Sequence, residues 1–398
     1  MTQPSTRWLA IVDWPEWYLV ASVAAGAILY AYLLYPMSLW LLTFWRRRTP
    51  FVPPEQWPSV SLVIAAYNEQ DVLASKIENS LSLQYPGDLQ VVVVSDGSTD
   101  QTNEIARGYE ARAGYVFVEQ PENAGKTLAQ NAAVRQATGD ILVFSDANSI
   151  YAADALQKLL TPFTDQKIGC VCGELRYLNP LHGGAGKGEG FYWRYEQFLK
   201  RQESRLGPLV GANGSIYALR RELFEELDSA IISDFIMPIR IRRRGWQVIY
   251  TDEAVATETT APGFNDEMRR RRRIIARSVY SLWQERGALV PLWSSTLFAF
   301  ELWSHKVMRW LVPVFLLVLL AATMMMSIQG HPLGSPLLMA QLLFYGLALL
   351  GALLPGTLGR VGLFYVPTHF CAINLGVLRG LLAALRGQRH TIWKPVTR

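Results

Sequence analysis

The sequence predicts an α/β domain built on a mainly parallel sheet and set between apolar segments long enough to cross a bilayer. Three observations carry this. Uninterrupted Val and Ile runs alternate with helical stretches from Val60 to Phe144, the pattern of strands covered on both faces. Apolar residues make up half of the 398-residue chain and charged residues only 18%, below the roughly 25% usual for soluble domains. The apolar excess is gathered at the two ends of the chain.

At the amino end, Trp17–Trp40 is apolar, uncharged and long enough for one span. It is too long for a signal-peptide core, and no small-residue cleavage site follows it. Arg46, Arg47 and Arg48 come next, so the positive-inside rule places the amino terminus outside and the following domain in the cytoplasm. A proline-bearing linker, Pro50–Pro58, then opens the soluble part.

The β-then-α pattern runs as follows: strand Val60–Ala65, helix Val72–Leu83, strand Leu89–Val94, helix Thr102–Ala113, strand Tyr115–Val118, helix Thr127–Ala137 and strand Ile141–Phe144. After Tyr151 the pattern loosens. Gly183–Gly190 reads as a mobile loop and Phe191–Ser204 as an amphipathic helix. A strand-like stretch, SIYAL, follows Gly211–Gly214. Ser233–Arg244 reads as a helix closed by Gly245, and Trp246–Tyr250 as a strand. The chain therefore divides into an amino-terminal span (1–48), an α/β domain (49–287), an interfacial helix (288–306) and a carboxyl-terminal membrane region with a basic tail (307–398). Met308–Ile328 and Leu337–Leu354 read as spans. Val361–Leu385 holds Pro367, His369, Asn374 and Arg379, and two rules conflict over it. A third span would put the tail outside, whereas Arg386, Arg389, Lys394 and Arg398 favour the inside.

The net charge of +5 lies largely in arginine clusters beside apolar segments. That suits an anionic membrane surface or phosphate ligands rather than nucleic acid, for which Arg269–Arg273 has no interleaved aromatic platform. Cys170 and Cys172 are too close for an easy bridge and lack zinc-ligand spacing, and Cys371 lies in an apolar run. No disulfide framework is implied, which fits a reducing compartment.

Five groups of residues can carry chemistry. Asp146 ends the buried run ILVFSDANSIY, at the strand end where open α/β sheets place ligands, and a carboxylate there can hold a hard divalent cation. The bland alternative is an Asx turn. Asp96 ends its own strand within SDGSTD, while Asp100 reads as a helix cap. Gly125-Lys126-Thr127 resembles the end of a P-loop, but Gln120 stands where that pattern needs glycine; Lys126 can still meet a phosphate as a point charge. Asp234, in IISDFIMPIR, is either a partly desolvated general base or a carboxylate complementing a helix dipole. Arg270 and Arg273 share one helix face, as a membrane patch or a diphosphate clamp.

Taken in order, VSLVIAAYNE, VVVSDGSTD, FSDAN, ISDF and RRRRI resemble the motifs of the family 2 glycosyltransferases, with the membrane polysaccharide synthases related to cellulose, hyaluronan and chitin-oligosaccharide synthases similar in layout. The resemblance covers about Val60 to Arg277 and implies the Rossmann-like GT-A fold. By motif, Ala65, Tyr67 and Glu69 line a nucleotide pocket, Asp96 reads the uracil side, and Asp146 with Asn148 binds Mg²⁺ or Mn²⁺ and the diphosphate. Lys126, Arg270 and Arg273 fall on the donor side. Gly211, Ala212, Asn213 and Gly214 lie beneath the acceptor, and Asp234 stands where the acceptor-activating base stands. The chain departs from the family pattern in three places. Asn148 replaces a second aspartate, Ser233 replaces a glutamate, and the Gln-x-x-Arg-Trp motif on Arg270, Arg273 and Ile274 keeps only its arginine, with Ile274 in place of the tryptophan that lies near the acceptor channel of processive enzymes.

The resemblance implies an inner-membrane, multi-pass enzyme with a cytoplasmic catalytic domain. Its reaction would be inverting transfer from a nucleotide-sugar, a UDP-sugar in the first instance, to a growing polysaccharide or lipid-linked glycan. Two rivals stand beside it: a non-processive transferase adding one sugar to a lipid, and a transport or scaffold subunit whose nucleotide domain is inactive.

Overall fold

The computed structural model describes residues 16–46, 50–178, 184–207, 209–259, 264–292, 294–354 and 361–388, with side chains from 193 in the one helix and from 271 in the other that begin at 184 and 264. Helix α1 (Glu16–Thr43) leads in. The domain then alternates: β1 (Val60–Ala66), α2 (Leu73–Leu81), β2 (Leu89–Asp96), α3 (Thr102–Arg107), β3 (Tyr115–Gln120), α4 (Lys126–Val134), β4 (Ile141–Asp146), β5 (Ile150–Tyr151), α5 (Ala155–Leu160), β6 (Ile168–Leu178), α6 (Gly184–Leu206), β7 (Tyr217–Arg220), α7 (Ser233–Arg243), β8 (Gln247–Thr259) and α8 (Phe264–Gln284). Helices α9 (Thr296–Ile328), α10 (Gly334–Leu353) and α11 (Gly362–Leu385) follow.

The eight strands form one sheet in the order β3-β2-β1-β4-β7-β6-β8-β5. The first four are parallel, as the unbroken apolar runs predict. β7 is antiparallel to both β4 and β6, while β6 and β8 are parallel, so the sheet is mixed beyond β4. Side chains alternate along each strand between two apolar layers. Val63, Val92, Leu142 and Phe144 pack with α4, α7 and α8. Leu62, Val91, Val93 and Val143 pack with α2 and α5 on the other face. The chain winds outward from β1 through β2 to β3, then crosses back to β4 on the other side of β1. This reversal leaves a crevice at the carboxyl ends of β1 and β4, where such sheets bind ligands. Ala65 and Asp146 are register partners at that point.

Several expectations about local structure change. The glycine-rich stretch from 184 to 190 is not a loop but the start of α6. β6 arises where the sequence pattern is loose and buries Cys170 and Cys172 in the middle of the sheet. The stretch expected to lie separately in the interface becomes, from Thr296, the first turns of α9, which continues through a π turn at Trp303–Val307.

All four flanking helices are long and apolar enough to cross a membrane. α11 begins beside α10, where the Thr368 hydroxyl donates to Ala348 O at 2.9 Å. Its second half lies against α8: Gly380 faces Ile275, and Arg272 Nη2 donates to Gln388 Oε1 at 3.0 Å. Its carboxyl end thus sits beside the domain. Arg389, Lys394 and Arg398 lie outside the described residues.

Where α1, α6 and α9 meet, the polar groups pair with one another. His305 is within 2.6 Å of Glu203 Oε1 and 3.2 Å of Glu196 Oε2, Tyr35 donates to Glu203 Oε1 at 2.9 Å, and Arg309 ion-pairs with Glu196. Glu203 and His305 are essentially inaccessible. Burial alone would push the Glu196 carboxyl up, but Arg309 and His305 outweigh it and hold it well below the usual carboxylate range. The Tyr30 hydroxyl lies 2.7 Å from Ser304 Oγ, joining the π turn Tyr30–Leu34 of α1 to the π turn of α9.

Candidate active site

Asp146 closes β4 at the crevice. Its Oδ1 is ion-paired with Lys126 Nζ, and its Oδ2 lies 3.1 Å from Ser215 Oγ. Lys126 is the first residue of α4, and the loop before that helix is anchored by Asp96. The two Asp96 oxygens accept from Ala124 N and Gly125 N, each at 2.9 Å. Asp96 is fully buried, and burial pushes its carboxyl up despite those two amides. Gly97 next to it has φ +66°, and a Cβ there would lie 2.4 Å from Glu122 C, so only glycine admits the loop this close. Asp96 therefore anchors the loop that delivers Lys126. Asp100 caps α3, accepting from Thr102 N at 3.0 Å.

Asp234 stands in the first turn of α7, where the helix dipole favours a negative charge. Its carbonyl accepts from Ala212 N at 2.8 Å, fixing the 211–214 segment against it. A Cβ on Gly214 would come within 2.8 Å of Asp234 Oδ2 and 3.2 Å of Lys126 Nζ. Asp146, Lys126, Gly214 and Asp234, spread over 109 residues of sequence, thus meet in one cleft. Burial would lower the Lys126 ammonium's pKa, but Asp146 and Asp234 outweigh it and hold the group above the ordinary lysine value.

Three groups that sequence reasoning did not single out complete the surroundings. Arg277, one helical turn beyond Arg273, donates through Nη2 to Ser229 O at 2.9 Å, Ile231 O at 2.8 Å and Thr127 Oγ1 at 3.2 Å. It ties α8 to the residue after Lys126 and to the loop before Asp234. Burial and the neighbouring Arg273 push its pKa down to about 10, with Asp234 pulling the other way. Beneath Asp146, Ser215 Oγ lies 2.5 Å from Glu258 Oε1, which also accepts from the Ser149 hydroxyl. Lys76, wholly buried, donates to Ser149 O at 2.6 Å and sits 4.1 Å from the Tyr151 ring centroid. Burial pushes its ammonium down to about 7 against the pull of Asp146 and Glu258. The i,i+4 spacing of Arg273 and Arg277 is a signal that would have found Arg277. Ser215 and Glu258 carry no motif.

The other expected positions fall as follows. Ala65 is buried beside Asp146, and Tyr67 and Glu69 lie on the loop leaving β1, where Asn68 Oδ1 accepts from Thr99 N at 2.8 Å. Asn148 is half-buried on the turn after β4. Arg273 is half-buried on α8 near Arg277, and the side chain of Arg270 lies outside the described residues.

The family described as Glycosyl transferase family 2 matches residues 61–228. An N-acetylglucosaminyltransferase of Mesorhizobium japonicum is 30% identical over 223 residues, 51% of this chain and 52% of that protein. A poly-beta-1,6-N-acetyl-D-glucosamine synthase of Staphylococcus aureus is 30% identical over 133 residues, 33% of this chain and 32% of that protein. The chain spans about half or less of the length of these curated relatives. Among solved structures, the mannosyltransferase PcManGT from Pyrobaculum calidifontis, in complex with GDP-Man and Mn²⁺, superposes with a TM-score of 0.71 at 23% identity, over 94% of this chain and 99% of that one. That likeness fixes the fold as GT-A, with the four apolar helices flanking it. Residues 61–228 are accordingly a glycosyl transferase family 2 domain.

Proposed function

We propose that this chain is an inverting glycosyltransferase of the cytoplasmic membrane, its domain facing the cytoplasm, that moves a sugar from a UDP-sugar donor to a growing polysaccharide or a lipid-linked glycan. The names of the curated relatives favour N-acetylglucosamine as the sugar. The observation that carries the reading is the meeting of Asp146, Lys126 and Asp234 around Gly214.

The acceptor hydroxyl attacks the anomeric carbon, the bond from that carbon to the diphosphate oxygen breaks, and the proton goes to Asp234. Lys126 meets the negative charge that builds on the departing diphosphate, a stabilisation realised mainly in the transition state. A single base, with no second carboxylate acting as nucleophile, leaves the anomeric centre inverted. Asp146 and the carboxamide oxygen of Asn148 fit a Mg²⁺ or Mn²⁺ ion whose other ligands are water and phosphate oxygens. Such an ion, when bound, supplies further neutralisation of the diphosphate. Ile274, 41% exposed on α8, favours addition of one or a few sugars over long processive synthesis.

The test is release of UDP from labelled UDP-N-acetylglucosamine by the full chain in detergent, with the product resolved by size. Asp234→Asn is expected to lower transfer by at least about 100-fold while leaving donor binding intact. Wild-type transfer rates in that variant, or no release from any UDP-sugar, overturn the reading.

A further inference from the structure

In the loop after β4 the second acidic position is the neutral Asn148, and no described residue hydrogen-bonds its side chain. A second carboxylate nevertheless reaches the same place from far along the chain. Glu258 lies near the end of β8, is 5% exposed, and has Oε1 2.5 Å from Ser215 Oγ. The same Ser215 oxygen lies 3.1 Å from Asp146 Oδ2. One hydroxyl thus separates the two carboxylates.

The placement is built in. The pairing of Thr257 with Ile150 draws β8 against the turn that follows Asp146, and the Ser149 hydroxyl donates to Glu258 from that turn. Lys126 ion-pairs with Asp146, but no described cation lies at ion-pair distance from Glu258. Lys76 spends its ammonium on the Ser149 carbonyl and the Tyr151 ring, and among the described residues it forms no ion pair. Two neighbouring carboxylates, one of them buried and without a cationic partner at ion-pair distance, favour the arrival of positive charge.

Building on the glycosyltransferase reading, we propose that Glu258, acting through Ser215, supplies the negative charge that the Asp-Ala-Asn sequence lacks. It is a positioning residue of the divalent-cation site: it holds the Asp146 carboxylate through the shared hydroxyl and strengthens the field at it. Asn148→Asp would then make Glu258 partly redundant.

The experiment is Mn²⁺ binding to the full chain in detergent, with UDP present, read by electron paramagnetic resonance, with melting temperature as the check on folding. Glu258→Gln is expected to weaken Mn²⁺ binding by about 10- to 100-fold. Asn148→Asp placed in that background should recover most of the loss, while in the wild-type background it should gain much less. If Glu258→Gln does not fold, Ser215→Ala with and without Asn148→Asp is read in the same way. Unchanged Mn²⁺ affinity in the folded Glu258→Gln variant, or an equal gain from Asn148→Asp in both backgrounds, overturns the inference and leaves the glycosyltransferase reading standing. Absence of Mn²⁺ binding to the wild-type chain overturns the metal site itself.

Discussion

Lys126 of α4 and Asp146 of β4 form an ion pair across the carboxyl edge of the sheet, and the same ammonium stands close to Asp234. It is the one described cation at hydrogen-bond distance from the Asp146 carboxylate. Lys126→Met should lower kcat by about 100-fold or more, the cost usual for a lost transition-state charge partner. The effect on donor KM should be smaller, and steady-state kinetics at varied donor concentration separate the two. A variant that changes KM alone would show that Lys126 only binds.

Gly214 is a glycine for spatial reasons. The added Cβ of Gly214→Ala would press on the Asp234 carboxylate at 2.8 Å. Overpacking of this kind costs roughly 1–3 kcal/mol, so the protein should fold with a modest drop in melting temperature. Transfer should fall far more steeply than stability. Parallel measurement of melting and turnover checks this, and equal activity would mean that the base moves aside freely.

Lys76 predicts a pH dependence of stability. Its pKa in the fold lies near 7, against an ordinary lysine value of 10.5. Between those values the unfolded chain holds the proton and the folded chain releases it, so stability rises with pH across that window. The melting temperature of the wild type, minus that of Lys76→Met, should increase from pH 7 to pH 9. A constant difference would show that Lys76 stays charged in its pocket.

Breaking the knot between α6 and α9 should destabilise the whole chain. Removing one partner of a buried pair typically costs about 3–5 kcal/mol, and Glu203 and His305 are both essentially inaccessible. His305→Ala is expected to lower the melting temperature of the detergent-solubilised protein sharply. A shift of a degree or less would mean that the Tyr35 and Arg309 contacts suffice without it.

The parallel half of the sheet is legible in the sequence because Val91–Val94 and Ile141–Phe144 are unbroken apolar runs, and each leads to an aspartate at the ligand-binding edge. Asp146, Lys126 and Asp234 are legible one by one, but that they meet is not. Their convergence depends on β7 inserting antiparallel between β4 and β6 and carrying the 211–214 segment to the crevice. β6 hides because Cys-Val-Cys-Gly-Glu lacks the runs that mark its neighbours. Ser215 and Glu258 hide because their role lies in one shared contact between residues 43 positions apart. Arg277 hides because a buried arginine spent on backbone carbonyls looks, in sequence, like one more member of a basic run.

The two wide turns of α1 and α9 face each other through Tyr30 and Ser304. Each holds one residue more than an α-helical turn would need. Winding the same Trp303–Val307 residues as a regular α-helix would rotate all that follows by up to about 100°. Arg309 would swing away from Glu196 and Trp310 from Phe235, whose ring it meets 6.1 Å away. The apparent irregularity is therefore a phase setting: it aims the membrane helix so that its polar side chains and its aromatic ring both arrive where the domain expects them.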